Sequence, residues 1–286
     1  IRKFKIMNYR NTINKGISIL RKYSINTAGI DAELLLSNII GKSREKILLN
    51  LEDELNYKEI DKYFSLINRR KQKEPISYIL GKKFFWKNEF LVNKDVLTPR
   101  FETELLIEEI LKFYKHKDRI NVLDLGIGSG CILVSLLKEK RNWKGTGVDL
   151  SDLALKTAQN NAKIQQVNNR IKFIKSDIDK ILPSKYDLIV SNPPYINKIG
   201  YNNLDFGVKG FEPRLALYGG IDGLDIIEKV INKSKYILKS SGILAMEFGL
   251  NQHYKVSDLL SKNGFYLLKI IKDYQNIKRF VLALNK

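Results

Sequence analysis

Along residues 1–75 the apolar positions follow a helical period. Ile13, Ile17 and Leu20 stand at i, i+4 and i+7, and Leu34, Leu35, Leu36, Ile39 and Ile40 form a broader apolar face behind a cap at Asn26 or Thr27. A further helix is predicted through YKEIDKYFSLINRRKQK, ending before Pro75, because a proline forces the residue ahead of it out of helical backbone. Short helices joined by polar turns imply a small bundle with no catalytic pattern of its own; on an enzyme such a bundle packs structurally or selects a substrate, and selection is the reading favoured here. FFWKNEFLV, at 84–92, is aromatic and β-prone with a polar break at Lys87 and Asn88, which predicts a β-hairpin.

From Ile120 onward the pattern changes to short apolar runs, INVLDL, GTGVDL, IKFIKS, YDLIVS, GILAMEF, FYLLKII and RFVLAL. Helical stretches are predicted near 101–115, 130–140, 151–166, 222–239 and 251–262. This alternation predicts an α/β fold: a seven-stranded, mainly parallel, Rossmann-like sheet with helices on both faces. The expected organisation is a helical domain at 1–80, a β-hairpin linker at 81–98 and the sheet domain at 99–286. In such sheets ligands bind beyond the carboxyl ends of the strands, so chemistry is expected in the loops that follow these runs.

Composition narrows the class. The chain has 286 residues, 44% hydrophobic and 28% charged, enough for one large or two modest globular domains. One cysteine, Cys131, excludes an intramolecular disulfide framework, and two histidines leave no zinc-like cluster, so no metal site is expected. The start, IRKFKIMNYR, is too polar for a signal peptide, and no stretch approaches the roughly 18 apolar residues of a membrane span. A soluble, cytoplasmic protein without membrane contact is expected; Ile1 in place of methionine raises the expectation of residues upstream. The net charge of +19 favours acidic partners such as nucleic acid, contacted weakly through the basic surface, although no run of five or six like charges concentrates it.

VLDLGIGSG, at 122–130, puts an apolar strand directly before a glycine-rich turn and an apolar helix. Gly126, Gly128 and Gly130 permit close backbone approach to a ligand, with Ile127 and Ser129 between them, and the helix start offers free N–H donors. The spacing is D-x-G-x-G-x-G and not the dinucleotide fingerprint. Asp124 would repel a pyrophosphate but suits a cationic sulfonium with an amino group, which favours S-adenosyl-L-methionine, with S-adenosyl-L-homocysteine as product, over NAD. Asp149 ends the next strand about 20 residues on, where a carboxylate can accept from both ribose hydroxyls. Asp177 ends the third strand, placed to accept from an adenine amino group while Ile178 packs on the ring. Each acid taken singly also reads as a cap or turn residue; their recurrence at successive strand ends favours the site.

YDLIVSNPPYI, at 186–196, places Asn192, Pro193, Pro194 and Tyr195 after the fourth strand. Two prolines stiffen the loop and remove two N–H donors. The Asn192 side-chain oxygen and the Pro193 carbonyl can each accept one N–H of a planar NH2 group, and Tyr195 can stack on it. Asn192, Pro193 and Tyr195 are therefore the candidate catalytic residues, and Asn192 to Tyr195 the candidate substrate site. The turn alone does not choose between exocyclic amines of DNA or RNA bases and glutamine amides of proteins.

The flanking residues choose. DAELLL at 31–36, PISYILG at 75–81, FFWKNEF at 84–90, LTPRFETELL at 97–106, DLGIGSGCI at 124–132, SNPPYI at 191–196, FEPRLALYGGIDGL at 211–224 and MEFGLNQ at 246–252 together resemble the HemK/PrmC family, the glutamine methyltransferases of peptide-chain release factors, over nearly the whole chain. The resemblance implies a helical domain that docks the release factor and methylation of the glutamine in the factor's Gly-Gly-Gln loop; a monomer is expected. It also implies cofactor contacts at Gly126–Gly130, Asp149, Ile178 and Asn192, and glutamine contacts at Asn192–Tyr195. Two departures stand out: Phe101 replaces a usual proline, and Ile178 stands where some members have tryptophan. Arg100, Glu102, Glu104, Glu212, Pro213 and Arg214 either close over the site or form an ion-paired helix start and an ordinary loop. A nucleic-acid amine methyltransferase is the alternative, though no separate base-recognition domain is evident. A module that docks without catalysing is disfavoured by the intact Asp124, Gly126, Gly128, Asp149 and Asn192.

Overall fold

The structure is a computed structural model and describes residues 7–182 and 184–286. Residues 1–6 of the polar start lie outside the described residues. The chain divides into two compact units, Ile1–Gly81 with Phe206–Phe211, and Lys82–Asp205 with Glu212–Lys286. No described helix is long and apolar enough to cross a membrane.

The first unit contains a two-residue pair β1 (Met7–Asn8) and β2 (Glu54–Leu55), with helices α1 (Tyr9–Lys22), α2 (Ala28–Ile40), α3 (Arg44–Leu49), α4 (Tyr57–Lys71) and α5 (Ile76–Leu80). Local capping sets the boundaries: the Asn8 and Ser43 side chains accept from the first turns of α1 and α3, and Asn56 with Glu59 forms a full capping box on α4. Thr27 does stand at the start of α2, but its side chain makes no cap to the backbone; its hydroxyl donates to Asp31 at 2.7 Å. Asp31 is buried and also takes Arg70 Nε at 2.7 Å, which ties α2 to the end of α4 and accounts for the acid that opens DAELLL. Ile13 and Leu20 are buried and Ile17 half-buried, in a core with Ala32, Leu35, Leu36, Ile47, Tyr63 and Ile67.

The second unit opens with the hairpin β3 (Lys82–Phe85) and β4 (Asn88–Leu91) and continues through α6 (Glu104–Phe113), β5 (Asn121–Leu125), α7 (Cys131–Glu139), β6 (Lys144–Asp149), α8 (Asp152–Ile164), β7 (Ile171–Lys175), β8 (Tyr186–Ser191) and α9 (Lys198–Asn202). After α10 (Phe206–Lys209), which groups with the first unit, come α11 (Asp225–Ile237), β9 (Leu238–Glu247), α12 (His253–Lys262), β10 (Phe265–Lys272) and β11 (Lys278–Asn285). The sheet has seven strands in the order β10-β11-β9-β8-β5-β6-β7. β5 to β9 run parallel and β11 enters antiparallel between β9 and β10. Alternate residues feed two cores: Val122, Leu188, Val190, Ile243 and Phe280 pack with residues of α6, α7 and α8, whereas Leu123, Ile189, Leu244 and Val281 pack with residues of α11 and α12. Strands buried on both faces must be apolar throughout, which is why they read as continuous runs.

Phe85 and Phe90 are buried in the first of these cores with their rings edge to face at 6.1 Å, so the hairpin at 82–91 is built into the sheet unit. Its turn is held by Trp86, whose backbone N–H donates to Glu104 at 2.9 Å and whose indole donates to Glu139 at 2.8 Å. The helix expected near 101–115 is present as a 3-10 turn, Phe101–Thr103, continued by α6; the Thr103 hydroxyl caps neither, being committed to Glu247. The short helices α9 and α10 were not expected from the pattern. Changing Arg70 to Ala leaves the Asp31 carboxylate buried without its cation; urea denaturation should show a loss of about 3–5 kcal/mol, and a loss below about 1 kcal/mol would contradict the structural weight given to this pair.

Candidate active site

The sheet reverses its strand order between β5 and β8, and the register there is direct: Leu125 pairs with Ser191. The turns that follow both strands therefore leave the sheet side by side. The Ser191 hydroxyl donates to the Leu125 carbonyl at 2.7 Å and fastens the two ends. On the other side Leu125 pairs with Val148 and Asp149 with Lys175, which brings the ends of β6 and β7 to the same edge.

A cavity of about 250 Å3 opens at this edge. Its lining includes Gly126, Ile127, Gly128, Ser129, Asp149, Asp177, Ile178, Asn192 and Pro194. Of the residues expected from sequence, Asp124, Gly130, Pro193 and Tyr195 do not line it. Gly126, Gly128 and Gly130 have φ of 77°, 54° and 80°, in the left-handed region that disfavours a side chain, and a Cβ on Gly126 would stand in open space. The turn is held from behind: Gly126 and Ile127 donate to the Val148 carbonyl, both at 2.9 Å, and Gly128 N–H donates to Asp149 Oδ2 at 3.0 Å.

The three strand-end acids differ. Asp124 is 1% exposed, its Oδ1 has no hydrogen-bond partner, and burial pushes its carboxyl up to about 8. Asp149 is held by the N–H groups of Gly128 and Ser151, with burial raising its pKa, and each of its oxygens keeps a second lone pair for a ligand hydroxyl. Asp177 caps the 3-10 turn Ile178–Lys180 through the Asp179 N–H at 3.2 Å and faces Lys229 at 3.8 Å, so the cap role and the cavity position coincide. Lys229 has no signal in the sequence pattern. An orphaned buried carboxyl oxygen beside an open glycine cradle, with a second acid one strand over, fits a cationic sulfonium cofactor with a ribose.

Asn192 is half-buried, and no described residue hydrogen-bonds its side-chain amide or the Pro193 carbonyl. Tyr195 is turned away from the cavity, its hydroxyl donating to Glu247 Oε1 at 2.9 Å; burial is the main cause that holds its phenol far above the usual range. The FEPRLALYGGIDGL segment packs on this turn. A Cβ on Gly219 would come within 2.4 Å of the Pro194 carbonyl oxygen, and one on Gly223 within 2.3 Å of the Tyr195 oxygen. Arg100 and Glu212 form an ion pair at 2.7 Å, and Arg100 and Pro213 also line the cavity. Glu104 serves the hairpin, and Glu102 is exposed.

Sequence reasoning missed Asn161. Its buried amide takes Leu91 N–H at 2.7 Å and donates to the carbonyls of Leu91 at 3.0 Å and Ser129 at 2.8 Å, which locks the hairpin and the glycine turn to α8. A signal existed: Asn161 falls on the helical stripe of Ala154, Leu155, Ala158 and Ala162, where a polar residue is out of place. Glu247 and Gln252, within MEFGLNQ, had no reading of their own.

Two family models match the chain, the PrmC N-terminal domain over residues 11–81 and the methyltransferase small domain over residues 101–204. Release factor glutamine methyltransferase of Caulobacter vibrioides is 38% identical over 265 residues, covering 92% of this chain and 92% of that protein. The protein of the same name from Clostridium botulinum is 37% identical over 280 residues, covering 97% of this chain and 99% of its own length. A bifunctional methyltransferase of Rickettsia prowazekii is 34% identical over 281 residues; the match covers 92% of this chain but 54% of that protein, so the chain spans about half the length of this relative. With the glycine turn, the strand-end acids and Asn192–Tyr195 at one edge of the sheet, the chain belongs to the S-adenosylmethionine-dependent release factor glutamine methyltransferase family.

Proposed function

We propose that this chain transfers a methyl group from S-adenosylmethionine to the side-chain amide nitrogen of the glutamine in the Gly-Gly-Gln motif of peptide-chain release factors, and so supports translation termination. The observation that carries the reading is the adjacency of two turns, one after β5 and one after β8, that open on one cavity. Family membership supports the substrate class. The reading assigns docking of the factor to the helical domain at 1–80 and gives a cytoplasmic monomer whose basic surface touches nucleic acid weakly at most.

When bound, S-adenosylmethionine supplies an electrophilic methyl group on sulfur, open to in-line displacement. Asp124 and Gly126–Gly130 would hold its amino-acid end, Asp149 its ribose, and Asp177 with Ile178 its adenine. An amide nitrogen is a poor nucleophile because its lone pair is delocalised into the carbonyl. The Asn192 side-chain oxygen and the Pro193 carbonyl each accept one N–H, which fixes the NH2 group with a free face towards the methyl and stabilises positive charge developing on nitrogen. Pro193 and Pro194 offer no N–H that would compete for these acceptors. Tyr195, turned away from the cavity, takes no part in stacking on the amide; its ring packs against the sheet core and its hydroxyl is committed to Glu247. The bound cofactor would supply the methyl carbon and take the displaced electron pair on its sulfur, and the surplus proton would leave the amide nitrogen for solvent.

The direct test incubates the protein with methyl-labelled S-adenosylmethionine and a release factor, the factor with its Gly-Gly-Gln glutamine changed to alanine, or duplex DNA, followed by mass spectrometry. One methyl group on that glutamine is expected, with none on the variant or on DNA; label in DNA alone would sink the reading and favour an exocyclic-amine methyltransferase. Changing Asn192 to Ala should lower kcat/KM at least about 100-fold, as loss of one aimed polar group commonly does. Changing Ile178 to Trp should tighten cofactor binding about two- to tenfold through ring stacking, read by calorimetry; unchanged or weaker binding would displace Ile178 from the adenine position.

Asp124 carries a pH prediction. With its folded pKa near 8 against an ordinary 3.8, the folded chain keeps a proton that the unfolded chain has lost between those values. This group's contribution is therefore complete below 3.8 and declines as pH rises towards 8, by up to about 1.4 kcal/mol per pH unit. Asp124→Asn should flatten that decline in thermal scans of the unliganded protein, raise its melting temperature at alkaline pH, and weaken cofactor binding. An unchanged slope in the variant would show that Asp124 does not titrate in this window.

A further inference from the structure

Tyr195 is gripped at both of its ends by residues outside its own turn. Its hydroxyl donates to Glu247 Oε1 at 2.9 Å, and the other oxygen of Glu247 takes the Thr103 hydroxyl at 2.7 Å. Its main-chain carbonyl accepts from Gln252 Nε2 at 3.0 Å. The same nitrogen donates to the Gly223 carbonyl at 3.1 Å, and Gln252 Oε1 accepts the Gly249 N–H at 2.7 Å. Glu247 ends β9, and Gln252 immediately precedes α12.

We propose that Glu247 and Gln252 are positioning residues for methyl transfer, holding Tyr195 by its hydroxyl and its carbonyl and thereby setting the aim of the Asn192 side chain and the Pro193 carbonyl. The inference rests on the reading of Asn192–Tyr195 as the target turn. Two ties at opposite ends of one residue block rotation about either, and the two prolines carry that restraint back to Asn192. A misplacement of about 1 Å at a reacting group can cost on the order of 100-fold in rate, so such a restraint has a catalytic consequence.

Packing alone does not explain the choice of residues. Glu247 is 3% exposed, and its two contacts are neutral hydroxyls. The cation that faces it, Arg279, is engaged by Asp273 at 3.1 Å, and burial raises the Glu247 pKa. A leucine or methionine of similar size would fill the space without the desolvation cost. What the carboxylate adds is directionality: it accepts two hydroxyls at once, one from the cavity-lining Thr103 and one from Tyr195, and so references the target turn to the cavity wall. The Gln252 amide does the same for the main chain, since only a group with donor and acceptor can serve two carbonyls and an N–H together.

The test measures kcat and KM with a release factor, and the dissociation constant of S-adenosylmethionine by calorimetry, for the full chain and for Glu247→Gln, Gln252→Glu, Tyr195→Phe and the double variant Tyr195→Phe with Glu247→Gln. Each single variant should lose about tenfold or more in kcat while cofactor affinity stays within about twofold, and the double variant should be no slower than the slower of its two parents. Loss that tracks cofactor affinity, or kcat unchanged in Tyr195→Phe, would overturn the proposal. Tyr195→Phe removes a single oxygen, so it decides the matter even if a Glu247 variant does not fold. A wild-type protein that labels no release factor would remove the target-turn reading itself; an active wild type with equally active variants would overturn only the positioning roles.

Discussion

Everything at the site depends on the pairing of β5 with β8 in parallel register at the point where the sheet changes direction. β6 and β7 extend the sheet on one side of β5, and β8 and β9 on the other, so the connections after β5 and β8 run off to opposite sides and leave a crevice between them. Leu125 opposite Ser191 sets both turns at the same height above the sheet. A slip of one residue would send Asp124 and its neighbours to the opposite faces and take the turn after Ser191 out of step with the glycine turn. The apolar alternation of Val122, Leu123, Leu188 and Ile189 into two separate cores is what forbids the slip.

On that frame the site is assembled from groups that are locally unfavourable. Four carboxyl groups, those of Asp124, Asp149, Glu212 and Glu247, are desolvated enough for burial to raise their pKa values, and of these Glu212 is paired at 2.7 Å with a cation, Arg100. A core selected for stability alone would not keep them. Their arrangement has a chemical sense instead: on the proposed reading Asp149 offers acceptors to the hydroxyls of a ligand and Asp124 gains its charge only against the cationic end of one, whereas Glu247 orients two hydroxyls. The glycine turn belongs to the same account, since backbone that permits close approach replaces side chains that would have packed.

What was legible in the sequence was local. INVLDL, GTGVDL and YDLIVS announce buried strands because a strand covered on both faces has no solvent side to mark. The glycine turn and NPPY announce themselves because backbone geometry restricts which residues can stand there. The placement of β11 between β9 and β10 was not legible, because a terminal apolar run reads the same in either direction. Nor were the ties of Asn161 to Ser129, of Glu247 to Thr103 and Tyr195, or of Gln252 to Tyr195 and Gly223, which join residues far apart in the chain. A buried polar side chain reveals its partner only once the fold has brought the two together; in the sequence it is one more Asn, Glu or Gln.

The target turn also explains why its own motif is ambiguous. On the proposed reading Asn192 Oδ1 and the Pro193 carbonyl are the two acceptors, and two acceptors would recognise a planar NH2 group by the directions of its N–H bonds. Those directions are the same in a carboxamide and in the exocyclic amine of a base. Discrimination between such substrates cannot arise from this pair of acceptors, because its interaction free energy with each is alike. It has to come from surfaces that contact the remainder of the substrate. On that reading the turn does not choose the substrate by itself, which is why the flanking segments, and not NPPY, carry the resemblance to this family.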